Sequence, residues 1–118
     1  GFPVLLGSDY HLVDALINGA DGCIGLPQNV VPHLSAEMYE AFIASDLEGA
    51  NRMQREAADF LVKLGAAPSG QAAAKAALAK MGLCDRTMAP PFVAATDAQA
   101  DALWERIASY CRVPAGAA

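Results

Sequence analysis

The chain has 118 residues, 54% of them hydrophobic, and thirteen acids against eight bases for a net charge of −5. That length suits one globular domain burying roughly two-thirds of its unfolded surface. The acidic balance, with no block of like charge, excludes an electrostatic footprint for nucleic acid or anionic lipid, and no window approaches the ~18 uninterrupted apolar residues of a membrane span.

Pro3-Val4-Leu5-Leu6-Gly7 is a continuous apolar run, the pattern of a strand buried on both faces of a parallel sheet. Ser8 or Asp9 then stands where a helix cap belongs, and Leu12, Val13, Leu16 and Ile17 recur at helical spacing before Asn18-Gly19 closes the segment. Gly22 to Leu26 reads as a second strand, completing a right-handed βαβ unit. Pro27 and Pro32 bracket a loop, and Ser35 is the expected N-cap of a helix burying Met38, Phe42 and Ile43. From Asp46 a longer helix carries Leu47, Ala50, Met53, Ala57, Leu61 and Leu64 on one stripe and ends at Gly65. An alanine-rich helix over about residues 70–81 stops at Gly82, its small side chains allowing close approach to a neighbour. Residues 83–95, with Pro90-Pro91, read as extended loop. Thr96 and Gln99 form a capping box for a last helix burying Leu103, Ile107 and Tyr110, and the VPAGAA tail is expected to fray.

Two parallel strands leave unpaired ladder groups on both edges and cannot by themselves make the multi-stranded sheet that all-apolar strands require. The edges are expected to be satisfied by another copy or a neighbour. Alternatively, the sequence closes a repeating βα fold whose earlier units lie upstream. Gly1, in place of Met directly before a strand-like run, points to a chain that starts within a larger reading frame. The N-terminus has neither a positive flank nor a signal-like apolar region, so a cytoplasmic location is expected.

Taken in order, LLGSD at the end of one strand, NGADGCIG leading into the next, NVVP after it, AAAKAALAKMGL and a late R-x-x-x-P-P resemble the dihydrodipicolinate synthase / N-acetylneuraminate lyase family over essentially the whole chain. The resemblance implies an α/β fold: the C-terminal fragment of a TIM (β/α)8 barrel, with two parallel strands followed by a helical extension. Residues 1–45 would be the last two βα units and 46–118 the extension. In that family G-x-D closes the seventh strand, and G-A-D-G-x-I-G-x-x-x-N-V runs through the eighth. A strand lysine condenses with pyruvate or another 2-keto acid to a Schiff base, a tyrosine shuttles protons, and a G-x-x-x-[TS]-[TS] loop holds the carboxylate. None of these three elements occurs in this sequence, so no catalytic residue is assigned. Lys63, Lys75 and Lys80 all fall on predicted helices and read as solvated charges, since a Schiff-base lysine needs a desolvated strand-end position.

The remaining wall of such a site is what the resemblance places here, at the C-terminal ends of the strands. Gly7 allows close backbone approach, and Asp9 could accept hydrogen bonds from hydroxyls or an amine of a second substrate, cap a helix, or do both. Tyr10 stands where sugar-acid binders tend to carry an acid, which speaks against a sialic acid substrate. Ile24 and Gly25 match positions whose backbone lines the site; Gly25 is similar to the lyase branch, whereas the synthase branch prefers serine. Leu26 and Pro27 fit neither branch and make the wall more apolar, as suits a less hydroxylated or aromatic partner for the keto acid. Asn29 matches a family asparagine and reads as a loop hydrogen-bonder.

His11 and His33 have no carboxylate or cysteine at ligand spacing, so no metal is assigned, and no cofactor is indicated. Cys23, Cys84 and Cys111 are odd in number, far apart and outside any C-x-x-C, which argues against a zinc site or disulfide framework and for reduced, mostly buried thiols. Trp104 and Tyr110 read as packing of the last helix. The leading expectation is the C-terminal part of a pyruvate-dependent Schiff-base lyase or synthase, homo-oligomeric and silent as the isolated chain. The alternative is a non-catalytic helical module that pairs its βαβ unit with a partner. A flavodoxin-like or response-regulator domain fails for want of further strands and an early acidic cluster.

Overall fold

The computed structural model describes residues 1–65 and 67–112; the predicted fraying of the VPAGAA tail falls outside them. Contacts divide the chain into two compact units, Gly1–Asp59 and Phe60–Ala118.

In the first unit, strand β1 (Leu5–Leu6) pairs in parallel with β2 (Gly22–Cys23), with Leu5 opposite Gly22 and Leu6 opposite Cys23. The ladder is extended at both ends: Asp21 N–H donates to Val4 O at 2.8 Å and Ile24 N–H to Leu6 O at 2.8 Å. The Asp21 carboxylate also accepts Val4 N–H at 2.7 Å. Between the strands runs helix α1 (Leu12–Ile17), so the βαβ unit forms as its sequence requires. Burial on both strand faces does not follow. Val4 is 59%, Leu5 49% and Ile24 67% exposed, because the sheet has a single covered face and, among the described residues, no third strand beside it.

Helix α2 (Pro32–Ile43) begins four residues earlier than the Ser35 cap predicts. Pro32 occupies the first turn, where its missing N–H costs nothing, and Ser35 lies inside the helix. Pro27 sits in a 3-10 turn over Leu26–Asn29 instead of bounding an open loop. Helices α1 and α2 pack together, and Leu12, Val13, Leu16, Leu34 and Met38 on them are buried, whereas Ile17 and Ile43 are exposed. Helix α3 (Leu47–Leu64) starts where Asp46 Oδ1 accepts Gly49 N–H at 2.8 Å, and buries Ala50, Ala57, Phe60 and Leu64. Leu47, placed on the stripe by periodicity, is exposed, and Phe60 takes the core position in the second unit.

The second unit packs α4 (Gly70–Lys80) against α5 (Asp97–Ile107). Ala72, Ala73, Ala74, Ala76 and Ala77 are all buried, the close approach their size allows. Ser69 Oγ caps α4 by accepting Ala72 N–H at 3.1 Å. The Thr96–Gln99 capping box is fully formed at α5, which buries Leu103 and Ile107. Tyr110 is half-buried on a following 3-10 turn, its ring tilted 57° against Phe60 at 5.7 Å, while Trp104 is half-buried on α5. Among the described residues no helix is long and apolar enough to cross a membrane.

Candidate functional site

Strand β1 ends at Leu6, and the chain turns at once into a 3-10 helix over Asp9–His11. The Asp9 side chain is 2% exposed, the one charged residue among the described buried side chains. It is not a helix cap. The first turn of α1 is served from a distance: Gln54 Oε1, on α3, accepts Val13 N–H at 2.7 Å, and neither Ser8 nor His11 makes a side-chain cap. Released from that duty, the Asp9 carboxyl lies over β2. Gln28 Nε2 donates to Asp9 Oδ1 at 3.0 Å and to Cys23 Sγ at 2.7 Å. Asp9 Oδ2 is buried and has no hydrogen-bond partner among the described residues.

Gly25 makes room for this carboxyl. Its backbone is extended (φ −141°, ψ 156°), so no left-handed conformation demands glycine there. A Cβ at Gly25 would instead lie 2.3 Å from Asp9 Oδ1, 2.7 Å from Cγ and 2.8 Å from Oδ2. A serine there would collide with Asp9 in its present rotamer. Glycine at 25 and a buried aspartate at 9 are thus one feature.

Burial pushes the Asp9 carboxyl above the ordinary Asp value, while the Cys23 thiol and the Gln28 amide draw it back down. Cys23 is pushed up to about 11, first by burial and then by the Asp9 charge and hydrogen bond. Its thiol is therefore a weak nucleophile at neutral pH. A cavity of about 350 Å³ has Cys23, Gln28, Ser35 and Tyr39 in its lining, but not Asp9.

Of the five residues singled out by sequence, the structure joins Asp9 and Gly25. Gly7 is exposed with open space about it, Tyr10 is 37% exposed with its ring tilted toward His11, and the Ile24 side chain points into solvent. Asn29 Nδ2 donates to Leu26 O at 3.0 Å, the loop-bonding role expected of it. Gln28 and Cys23 were not among the candidates. The available signal was Pro27, which favours the tight turn that folds Gln28 back over β2.

The three lysines lie on helices, as expected, but only partly as free surface charges. Lys63 is half-buried and donates to Tyr110 Oη at 2.6 Å, with its ammonium 4.8 Å from that ring's centroid. Lys75 is half-buried on α4, and Lys80 pairs with Asp101. Cys84 is exposed and Cys23 and Cys111 half-buried, so the thiols are free but less buried than their residue type suggested. His11 Nδ1 stands 3.5 Å from Asp14 Oδ2, and His33 lies within α2. No group of three His, Cys, Asp or Glu side chains able to hold a metal occurs among the described residues.

Residues 1–109 match the sequence profile of the dihydrodipicolinate synthetase family. The chain belongs to that family. It is similar to the 4-hydroxy-tetrahydrodipicolinate synthase of Gluconobacter oxydans, with 39% identity over 95 residues, covering 78% of this chain and 31% of the relative. Its fold matches a dihydrodipicolinate synthase from Bacteroides thetaiotaomicron with a TM-score of 0.83 at 21% identity, over 92% of this chain and 38% of that one. A prophage protein of the dihydrodipicolinic acid synthase family from E. coli K12, solved in complex with pyruvate, matches with a TM-score of 0.80 at 22% identity, over 92% and 37%. The chain spans about a third of the length of the curated relatives it matches. The fold is accordingly an α/β fragment of the family's TIM barrel, with two parallel strands and five α-helices among the described residues.

Proposed function

We propose that this chain is the C-terminal part of a pyruvate-dependent, Schiff-base lyase or synthase of the dihydrodipicolinate synthetase family, acting in the cytoplasm as a homo-oligomer. Residues 1–45 supply the last two βα units of the barrel and residues 46–118 its helical extension. Gly7, Asp9, Tyr10, Ile24 and Gly25 form the wall of the site that faces the second substrate. The single observation that carries this reading is the buried, half-paired Asp9 carboxyl seated on Gly25 at the C-terminal ends of two parallel strands, where barrel enzymes do their chemistry.

The chain by itself is catalytically silent on this reading. Schiff-base cleavage or condensation needs an amine of depressed pKa, a proton shuttle and a carboxylate clamp held in register. Lys63 and Lys80 are already engaged with Tyr110 and Asp101, and Lys75 rides on a helix, not at a strand end. Without a covalent electron sink no arrangement of Asp9, Tyr10 and Asn29 stabilises the carbanion.

The test is to treat the chain and its full-length parent with pyruvate and borohydride and to measure intact mass. A stoichiometric reduced adduct on the parent and none on the chain is expected. An adduct on Lys63, Lys75 or Lys80 would overturn the silent reading. No adduct on the parent would overturn the Schiff-base reading and favour a module whose exposed β1–β2 pair joins a partner's sheet.

A further inference from the structure

We propose that the outer face of α2 and the unpaired edge of β2 form one docking surface for a further βα unit, supplied by the upstream part of the same parent chain. The strand of that unit continues the ladder beyond β2, and its helix lies along Pro32, Ala36 and Tyr39. The inference rests on the reading of this chain as the C-terminal part of a barrel. It goes beyond that reading by naming the surface at which the barrel closes.

Helix α2 is apolar on two opposed sides. Leu34 and Met38 are buried within the first unit. Pro32, Ala36 and Tyr39, spaced by four and three residues, fall within roughly 60° of arc, about 150° around the helix from Leu34 and Met38. All three are exposed. Solvent has a side of its own, since Glu37 and Glu40 lie on the flank between the two apolar faces. A helix of this pattern is shaped to lie between two layers, and here one of its apolar faces stands open.

The open face does not stand alone. Among the described residues β2 has β1 as its one strand neighbour, so its other edge carries unpaired ladder groups. Strand and helix line one cavity of about 350 Å³, with Gly22 and Cys23 on β2 and Pro32, Ala36 and Tyr39 on α2. A neighbouring βα unit covers two such surfaces at once, strand to strand and helix to helix. Ala36, at the centre of the stripe, carries a single methyl group and so admits a helix at close range. A second copy fits less well: a two-fold axis that joined the α2 stripes would set the two β2 strands antiparallel, against the parallel ladder of β1 and β2. The matched synthase structure, by contrast, extends well beyond the region this chain covers, so the parent has further units to offer.

Ala36→Cys, made in the isolated chain and in the full-length parent, reads the coverage directly. After brief maleimide exposure and peptide mapping, position 36 is expected to label about 100-fold more slowly in the parent than in the chain, and the protection should persist when the parent is diluted until its subunits separate. Ala36→Arg should leave the melting temperature of the isolated chain within about 2 °C of wild type and lower the parent's by about 10 °C or more, because a guanidinium then replaces a methyl group in a packed contact. Equal labelling of chain and parent makes the stripe free surface and overturns the proposal. Protection lost on dilution places another subunit on the stripe, and an isolated chain that is a dimer broken by Ala36→Arg places a second copy there; either result overturns it. The borohydride adduct is scored separately on the unsubstituted parent. An adduct without protection at position 36 removes the docking surface alone, whereas protection without an adduct upholds the surface and removes the Schiff-base reading.

Discussion

Substituting Gly25 by alanine isolates the contact on which the candidate site depends. The new Cβ would lie 2.3, 2.7 and 2.8 Å from Asp9 Oδ1, Cγ and Oδ2, short of an ordinary contact of ~3.5 Å by about 1 Å. The extended backbone at Gly25 accepts alanine without strain, so the carboxyl must give way. Turning it breaks the 3.0 Å bond from Gln28, a loss of about 1.5–3 kcal/mol if Asp9 is charged, with about 0.5–1.5 kcal/mol more for leaving its rotamer well. Restricting the unfolded chain returns about 0.4–1 kcal/mol. The expected net destabilisation is therefore about 1–4 kcal/mol. In an Asp9→Ala background the obstacle is gone, and Gly25→Ala should be neutral or stabilising by up to about 1 kcal/mol. Urea unfolding of the four proteins in a double-mutant cycle gives the coupling directly, expected at about 2–4 kcal/mol. A coupling below about 0.5 kcal/mol would refute the claim that Gly25 is glycine on account of Asp9.

Three further predictions concern stability and reactivity. Thr96→Ala, which removes one arm of the capping box on α5, should cost about 1 kcal/mol in denaturant unfolding, and Thr96→Ser should recover most of it. Because burial holds Asp9 above its ordinary value of 3.8, the native state keeps a proton that the unfolded state has lost, so stability should fall as pH rises from about 4 through the folded value; Asp9→Asn should flatten that slope in pH-dependent melts. Iodoacetamide at pH 8, followed by peptide mapping, should label exposed Cys84 first. Cys23 and Cys111, both pushed up to about 11 chiefly by burial, carry about 100-fold less thiolate than a thiol at the ordinary 9.0 and should lag accordingly.

The element order was legible because each signal was local. Asn18-Gly19 closes α1 with Gly19 at φ +91°, Gly82 closes α4 at φ +75°, and Thr96-Gln99 opens α5 with both bonds made. Family membership was legible in the same way, through the order of short motifs around the two strand ends. What periodicity could not reveal were the decisions made between elements. Gln54 caps α1 from 41 residues away, which frees Asp9 from the cap position its place in the sequence suggests. Ile17 and Ile43 share the periodicity of their buried neighbours but fall at the ends of α1 and α2, beyond the reach of the opposing helix, and stay exposed. Gln28 gave no signal because its role arises only when the 3-10 turn brings it onto a carboxyl 19 residues back in the chain.

The geometry of the wall depends less on the sheet than the sequence pattern implies. Two strands of two residues each, paired in parallel and exposed on one face, are marginal on their own. Three side chains outside the ladder hold them in register. Asp21 takes Val4 N–H at the near end, Gln54 pins the start of α1, and Gln28 ties the turn after β1 to the strand β2. Each is a directional polar bond, and those of Gln54 and Gln28 are part-buried, so they favour a unique register where apolar contact would permit several. This unit therefore carries its own means of holding Asp9 against Gly25, and every residue that does so lies between positions 4 and 54.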